Sequence, residues 1–301
     1  MTKLKNLFCT ILTHAAPSSN YRGESEENRT VIQKIAKGDH EYAVISPESM
    51  RNALREILAA RKLPELLMNR TRLHDENELA VQFQDFPNAD IYADDFLFGY
   101  MVAKKEEAAQ IRKLGRPAKR DSVLRMNMAV ALAPYRFDAT FHQSPLNAGK
   151  SPWQNSTSSA LLHREVSYTA YQYPFALNLN DCAGEKPKKW AKALIAAIGE
   201  LSNVAGGHAR SYFEMAPVSL VARLTPSLVC GFNTYGFDAD GGFADLARIK
   251  KDDLPGGEFV VAGAISRSMD AVEKKRLEDE DVQFFDNPQA ALSKLATDGL
   301  G

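Results

Sequence analysis

The segment that begins at Ser46-Pro47 constrains the fold more than any other. Met50, Ala53, Leu54, Ile57 and Leu58 fall at i, i+3, i+4, i+7 and i+8, so a helix here must bury one stripe against a second layer. Ser46 offers a side-chain oxygen to the free amides of the first turn, and Pro47 has the fixed φ that suits the first helical position. Arg51 and Arg55 stack one turn apart along the edge of the stripe, and Leu63-Pro64 ends the regular part. The layer beneath comes from segments of another period. Residues 4–13 read as a buried strand and residues 42–45 as a short one. Residues 123–133 alternate partly at period two and form one central strand. Residues 166–179, with Tyr168, Tyr171, Tyr173 and Phe175, resume strand character, and residues 218–224 follow Met215-Ala216-Pro217 as another strand. Residues 190–201 make a second amphipathic helix, broken just before Gly206-Gly207. The order strand, strand, helix, strand, strand, helix, strand predicts an α+β fold of the ferredoxin-like group, with two helices on one face of an antiparallel sheet. No period of about 20 to 50 residues recurs, which excludes a solenoid.

Three stretches fall outside this scheme. Residues 14–30 are polar and read as a loop. Residues 65–119 are mixed, and their aromatic run over residues 91–100 reads as part of an insertion rather than core. Residues 142–161 hold Ser, Asn, Pro and Gly in quantity around one exposed-looking Trp153, and structureless loops of that length tend to be functional.

Length and composition set the class. A chain of 301 residues with 45% hydrophobic content can bury one large core or two modest ones. No run approaches the roughly 18 apolar residues of a membrane helix, and the first residues show no cleavable signal, so the cytoplasm is the expected compartment. Cys9, Cys182 and Cys230 are far apart and unpaired in sequence, which predicts buried free thiols rather than a disulfide framework or zinc knuckle. The formal net charge is -1, so bulk positive charge does not drive binding to nucleic acid. Its distribution is more telling: residues 104–125 hold eight Lys or Arg against three acids, whereas Glu278-Asp279-Glu280-Asp281 is purely acidic. Such separation suits a subunit that presents basic surface to a polyanion and acidic surface elsewhere, as to the next copy of itself. Chance clustering on solvated faces is the alternative.

The chain carries no GxxxxGK[ST], HExxH, GxSxG or strand-linked GxGxxG motif. Its six histidines lack metal-ligand spacing, which favours hydrogen-bonded loop histidines. Asp94-Asp95 is the one acid pair inside an apolar run. It could hold Mg²⁺ or act as acid and base, but adjacent side chains on a strand point apart, and a turn or cap is the competing role. The features that suit a polyanion are arginine forks and amides. Asn20, Arg22, Asn28 and Arg29 share one polar loop with Gly23. Arg51 and Arg55 lie near a helix N-terminus whose dipole favours anions, with a salt bridge to Glu48 as the alternative for Arg51. The Gly206-Gly207-His208-Ala209-Arg210 loop would let backbone amides approach a phosphate, or would simply stop a helix.

Several of these motifs, taken in order, resemble the DevR-type, RAMP-superfamily backbone subunit of type I CRISPR interference (Cascade) complexes. They are Leu12-Thr13-His14-Ala15 followed by Asn20-Tyr21-Arg22-Gly23-Glu24, then Gly38-Asp39 and Tyr42-Ala43-Val44-Ile45-Ser46 leading into Arg51-Asn52-Ala53-Leu54-Arg55. Further along come Arg120-Asp121-Ser122 before Ala131-Leu132-Ala133-Pro134-Tyr135, His163-Arg164-Glu165, and Gly206-Gly207. The resemblance implies one RRM-like palm over residues 1–301, a fingers-like insertion over 65–119, a thumb-like hairpin over 140–164 and an acidic C-terminal element over 268–301. It implies a non-catalytic protein without cofactor or metal. Its partners would be CRISPR guide RNA, target DNA paired with that guide, further copies in a filament and other Cascade subunits, with no membrane. The expected RNA contacts are Asn20, Arg22, Asn28, Arg29, Arg51, Arg55, Arg120, His142, Lys150, Trp153, His163, Arg164, Gly206, Gly207 and Arg210. The thumb would splay bases periodically, which is recognition by shape rather than sequence. The near-neutral charge departs from the clearly basic relatives. RAMP relatives include ribonucleases, so His14, His142 or His163, or Asp94-Asp95 with a metal, define an endoribonuclease alternative acting on guide precursor or target RNA. A transcriptional role lacks helix-turn-helix spacing.

Overall fold

Strand β1 (Asn6–Leu12) lies mid-sheet, hydrogen-bonded to a neighbour on each side, and is buried on both faces because one apolar cluster takes Leu7, Cys9 and Ile11 and another packs on Phe8 and Leu12. The computed structural model describes residues 5–26, 29–74, 79–143, 161–204 and 212–301. Among these, the strands that join β1 in one sheet are β2 (Lys34–Lys37), β3 (His40–Ile45), β4 (Leu124–Met126), β5 (Ala129–Ala131), β6 (Tyr171–Asn178), β7 (Ser219–Thr225), β8 (Phe259–Gly263) and β9 (Gln283–Phe285). Their order is β9-β8-β7-β1-β6-β5-β3-β2, with β4 also paired to β6. The pairs are antiparallel except β8 with β9. The helices that matter here are α1 (Pro47–Ala60), α2 (Ala93–Phe98), α3 (Lys105–Lys113), α4 (Glu185–Ile198), α5 (Ala271–Asp279) and α6 (Pro288–Leu300). Through the middle of the sheet the chain runs β1, α1, β5, β6, α4, β7, so the α+β expectation holds.

Local chemistry explains the elements. Ser46 caps α1 by accepting from Ser49 N at 3.2 Å, and Pro47 opens the helix as expected. Gly38, at φ 60°, supplies the left-handed residue of the tight turn that joins β2 to β3. The helix expected over 190–201 begins earlier, at Glu185, because Pro187 fits a first turn that needs no amide donor.

Three other expectations are corrected. Residues 123–133 form two short strands. Asn127 N donates to Pro174 O at 3.2 Å, but Pro174 has no N–H to return the bond, so the ladder breaks between β4 and β5. The polar stretch 14–30 is not all loop. It contains Ala16–Ser18, paired with Ser167–Thr169, and Tyr21–Glu26, paired with Arg29–Ile32, since backbone pairing does not require apolar side chains. A four-stranded sheet results, in the order Ala139–Gln143, Leu161–Glu165, Arg29–Ile32, Tyr21–Glu26. The run 91–100 lies in the core rather than outside it: Ala93, Phe96, Leu97 and Phe98 join the main apolar cluster. Phe96 meets the ring of the buried Trp190 on α4 at 5.5 Å, and Trp190 Nε1 donates to Glu65 O at 2.6 Å.

Candidate nucleic-acid interface

The candidate site is organised by α2. Asp94 and Asp95 stand in its first turn, where the helix dipole favours acids, and both are 0% exposed. Asp94 accepts from Asn69 N at 2.7 Å and Arg70 N at 2.9 Å. Asp95 Oδ2 accepts from Asn69 Nδ2 at 2.8 Å and Asn88 N at 2.9 Å. Burial raises the Asp95 carboxyl above its ordinary range, against the hydrogen bonds from Asn69 and Asn88 that pull it down. The pair is helical and clasps two loops by their amides. This corrects the strand geometry expected for it and agrees with the capping role.

At the other end of α2 four carbonyls need donors, and a helix C-terminus attracts cations. Arg120 Nη1 donates to Phe96 O at 2.6 Å, Ser122 Oγ to Leu97 O at 3.0 Å, Arg51 Nη2 to Phe98 O, and Arg70 Nη2 to Gly99 O at 2.9 Å. Arg51 Nη2 also donates to Ser122 Oγ at 3.1 Å. Aromatic faces carry the same cations. The Arg55 guanidinium lies 4.4 Å from the Phe98 ring centroid, Arg51 5.8 Å from the same ring, Arg120 4.6 Å from Phe96, and Arg70 4.7 Å from Phe83.

Charge balance sets Arg51, Arg55 and Arg70 apart. Burial lowers the pKa of each. Arg55 is pushed down to about 9, by burial first and then by the charge of Arg70 and of Arg51, with Asp94 and Asp95 opposing. An arginine keeps its charge at neutral pH, so the lowering reflects burial first in all three, joined by neighbouring guanidiniums at Arg51 and Arg55 and opposed by Asp94 and Asp95 at Arg55 and Arg70. Among the described residues no carboxylate lies within ion-pair distance of these three, and the buried Nε atoms of Arg55 and Arg70 meet no acceptor. The alternative reading of Arg51 as a salt-bridge partner of Glu48 is therefore replaced by its bonds to Phe98 O and Ser122 Oγ. The chemistry that satisfies such a cluster is an oxyanion with several acceptors, such as a phosphodiester.

The remaining expected contacts divide. Arg29, His163 and Arg164 lie in the four-stranded sheet, where His163 pairs in register with Arg29. The Arg29 guanidinium lies 5.1 Å from the Phe137 ring, and the exposed His163 meets Phe141 at 5.4 Å. Asn20 is only 4% exposed and its Nδ2 donates to Val44 O at 2.8 Å, so it ties the polar segment to β3 and is corrected from an RNA contact to a structural amide. Arg22 and His142 lie on strands, and their side chains fall outside the described residues, as do Asn28, Lys150, Trp153, Gly206, Gly207 and Arg210 entirely. Sequence reasoning missed Arg70, Phe98 and Phe83, because nothing local brings the Asn69-Arg70 segment beside α1.

The fold is matched by known proteins, although no family model matches the chain. It is 30% identical over 287 residues to the CRISPR-associated protein Cas7/Cst2/DevR of Myxococcus xanthus (strain DK1622), covering 90% of this chain and 91% of that protein. The chain belongs to the Cas7/Cst2/DevR family. Two solved chains share its fold. One, from a CRISPR RNA-guided surveillance complex in a pre-nicking state, superposes with a TM-score of 0.59 at 11% identity over 98% of this chain and 100% of that one. The other, from a CRISPR RNA-guided surveillance complex, gives a TM-score of 0.56 at 13% identity over 97% and 99% of the two chains. Among the described residues of this Cas7/Cst2/DevR chain, no helix is long and apolar enough to cross a membrane.

Gly99 is one position where this Cas7/Cst2/DevR chain depends on a missing side chain. Its φ is 64°, and an added Cβ would sit 2.5 Å from Arg120 O and 2.7 Å from Ser122 N. Gly99→Ala is expected to destabilise the chain by about 2–3 kcal/mol through backbone strain, read by urea unfolding. A change below about 0.5 kcal/mol would show that the strand segment after Arg120 moves aside freely.

Proposed function

We propose that this chain is a non-catalytic, guide-RNA-binding backbone subunit of a Cascade surveillance complex. Repeated copies line the spacer of the CRISPR guide and present it for pairing with target DNA, alongside other Cascade subunits in the cytoplasm. The observation that carries this reading is the set of three half-buried guanidiniums, Arg51, Arg55 and Arg70, fixed on aromatic faces with no described carboxylate paired to them. Carbonyls aim two of them, and the phosphate of a guide supplies the charge that burial and mutual repulsion call for. The family of the M. xanthus relative and the surveillance complexes that share the fold support the same partner. In this reading residues 65–119 are fingers and residues 140–164 a thumb, whose root is the hairpin of Ala139–Gln143 and Leu161–Glu165. Residues 268–301 form the acidic C-terminal element, and Arg29, His163 and Arg164 line the guide near the thumb root. The endoribonuclease alternative loses one of its acid sources, because Asp94 and Asp95 are inaccessible and bonded to amides.

The test is to co-express the chain with its neighbouring operon genes and a repeat-spacer array, then size the nucleic acid in the purified particle. A discrete guide-length RNA in a large particle is the expected result, and RNA-free protein of monomer size would sink the reading. Affinity for RNA should also fall steeply with salt. Neutralising three phosphates per subunit gives a log–log slope of about -2 for each subunit bound, and a nearly flat dependence would contradict it. Cleavage of labelled precursor or target RNA, abolished by replacing His14 or His163, would favour the enzyme instead.

A further inference from the structure

Asp95 is the member of the α2 cluster that works against anion binding. The guide site gathers three cations, yet this fully buried carboxylate stands three residues before Phe98, whose ring carries Arg51 and Arg55; that spacing is about 4.5 Å along the helix axis. Its two oxygens are unequal. Oδ2 accepts from Asn69 Nδ2 at 2.8 Å and from Asn88 N at 2.9 Å, whereas Oδ1 is buried without a hydrogen-bond partner among the described residues. An asparagine at this position keeps both bonds on its single oxygen and turns its amide toward the side where no donor stands, so the hydrogen bonding does not require a carboxylate. Asp94 differs, because one of its oxygens accepts from Asn69 N and the other from Arg70 N, and an asparagine amide would oppose one of these donors. The clasp on the Asn69-Arg70 segment therefore belongs to Asp94, and what distinguishes Asp95 is its charge. The fold gains nothing from that charge: burial first, and Asp94 with it, raise the Asp95 carboxyl above its ordinary range against the bonds from Asn69 and Asn88 and the charge of Arg70. A carboxyl whose pKa is raised on folding is less favourable ionised in the folded chain than in the unfolded one at neutral pH.

We propose that Asp95 is a positioning residue that sets the strength of the guide contact: acting through Arg55 and Arg70, its buried negative charge holds their grip on each phosphate below what three guanidiniums alone would give. This deepens the guide-binding reading and rests on it. The charge reaches both arginines without locking either in an ion pair, and the buried Nε of each meets no acceptor. The guanidiniums therefore stay open to an incoming oxyanion while the net charge that attracts it is reduced. A unit charge about 10–15 Å from an anion, across protein of effective dielectric about 20, changes its affinity several-fold. Because the contact recurs along the guide, a weaker single contact leaves long RNA bound and lets short RNA go.

The experiment compares wild type, Asp95→Asn and Asp94→Asn as RNA-free full chains at pH 8. Urea midpoints read stability, and anisotropy of a fluorescein-labelled single-stranded RNA at fixed salt reads affinity. Asp95→Asn is expected to bind the RNA at least about threefold more tightly, with a urea midpoint no lower than that of wild type. Asp94→Asn, which breaks the clasp, should lose both stability and affinity. A merely structural role for Asp95 would move its two readouts down together, as in Asp94→Asn. Equal or weaker RNA binding by Asp95→Asn, or a lowered urea midpoint, would overturn the proposal. If the wild-type chain binds no RNA, the backbone reading fails on its own, and pyrophosphate still decides the role of the charge. Its gain in urea midpoint over sodium chloride of the same ionic strength should be larger for Asp95→Asn than for wild type, and an equal or smaller gain refutes the proposal.

Discussion

Replacing Arg55 with glutamate is expected to strip guide RNA from the particle while the chain stays folded. Arg55 lies against Phe98, with Arg51 and Arg70 as its charged neighbours. A carboxylate at this position meets two guanidiniums and relieves their repulsion, while Asp94 and Asp95 repel it and the stacking on Phe98 is lost, so these effects offset and the chain stays folded. Toward a phosphate, however, the local charge drops by two, and a charge-assisted contact of about 1.5–3 kcal/mol is lost in every bound subunit. That corresponds to at least about a tenfold loss of affinity for one subunit, repeated along the guide. Extracted RNA, measured per mole of protein, should fall to background, with circular dichroism unchanged. Arg55→Lys should lie between, since it keeps the charge and loses the planar fork. Wild-type RNA content in the glutamate variant would make the cluster a purely structural feature. Arg51 is a poorer probe than its spacing suggests, because its bonds to Phe98 O and Ser122 Oγ mean that replacement also uncaps α2.

The contrast between these two arginines shows what a sequence can disclose. Helix α1 was legible because every signal for it is local: the cap at Ser46, the proline at the first position and the stripe from Met50 to Leu58. That Arg51 and Arg55 face the same way follows from the same periodicity. What they face does not, since Phe98 and Arg70 arrive from segments with no regular pattern, held by the buried carboxylates of Asp94 and Asp95. The order of the central strands was legible from apolar runs, but the break at Asn127 depends on a proline in the partner strand. The strands at Ala16–Ser18 and Tyr21–Glu26 escaped notice because their side chains are polar and only their backbones pair. Asn20 misled for a related reason: an amide in a polar segment suits a phosphate or a buried carbonyl equally, and only the packing against Val44 decides.

Glu165→Leu is expected to loosen the joint between the two sheets, and its effect should shrink in acid. Glu165 is 2% exposed. It accepts from Ile32 N at 2.8 Å, from Lys34 Nζ at 3.0 Å and from the Tyr135 hydroxyl, so one carboxylate joins the hairpin strand, Arg29–Ile32, the start of β2 and the chain beyond β5. Burial alone would raise its pKa, but the hydrogen bonds from Tyr135, Ile32 and Lys34 outweigh it and hold the group below its ordinary 4.5. A carboxylate depressed in the folded state binds protons more readily when unfolded. Its stabilisation is therefore complete above pH 4.5 and is lost as the pH falls through the lower, folded value. Leucine leaves Lys34, the Tyr135 hydroxyl and the Ile32 amide without their acceptor, and a broken buried pair of this kind costs about 3–5 kcal/mol. Glu165→Gln retains an acceptor without the charge and should cost less. Urea midpoints of wild type and the leucine variant, compared from pH 7 to pH 3, should differ widely at neutral pH and draw closer by pH 3, by at most about 2 kcal/mol at about 1.4 kcal/mol per pH unit below 4.5. A gap that stays constant with pH would assign the loss to packing rather than to the charged network. The same loosening should weaken any grip exerted by Arg29, His163 and Arg164, because Glu165 is what fixes their strands to the main sheet.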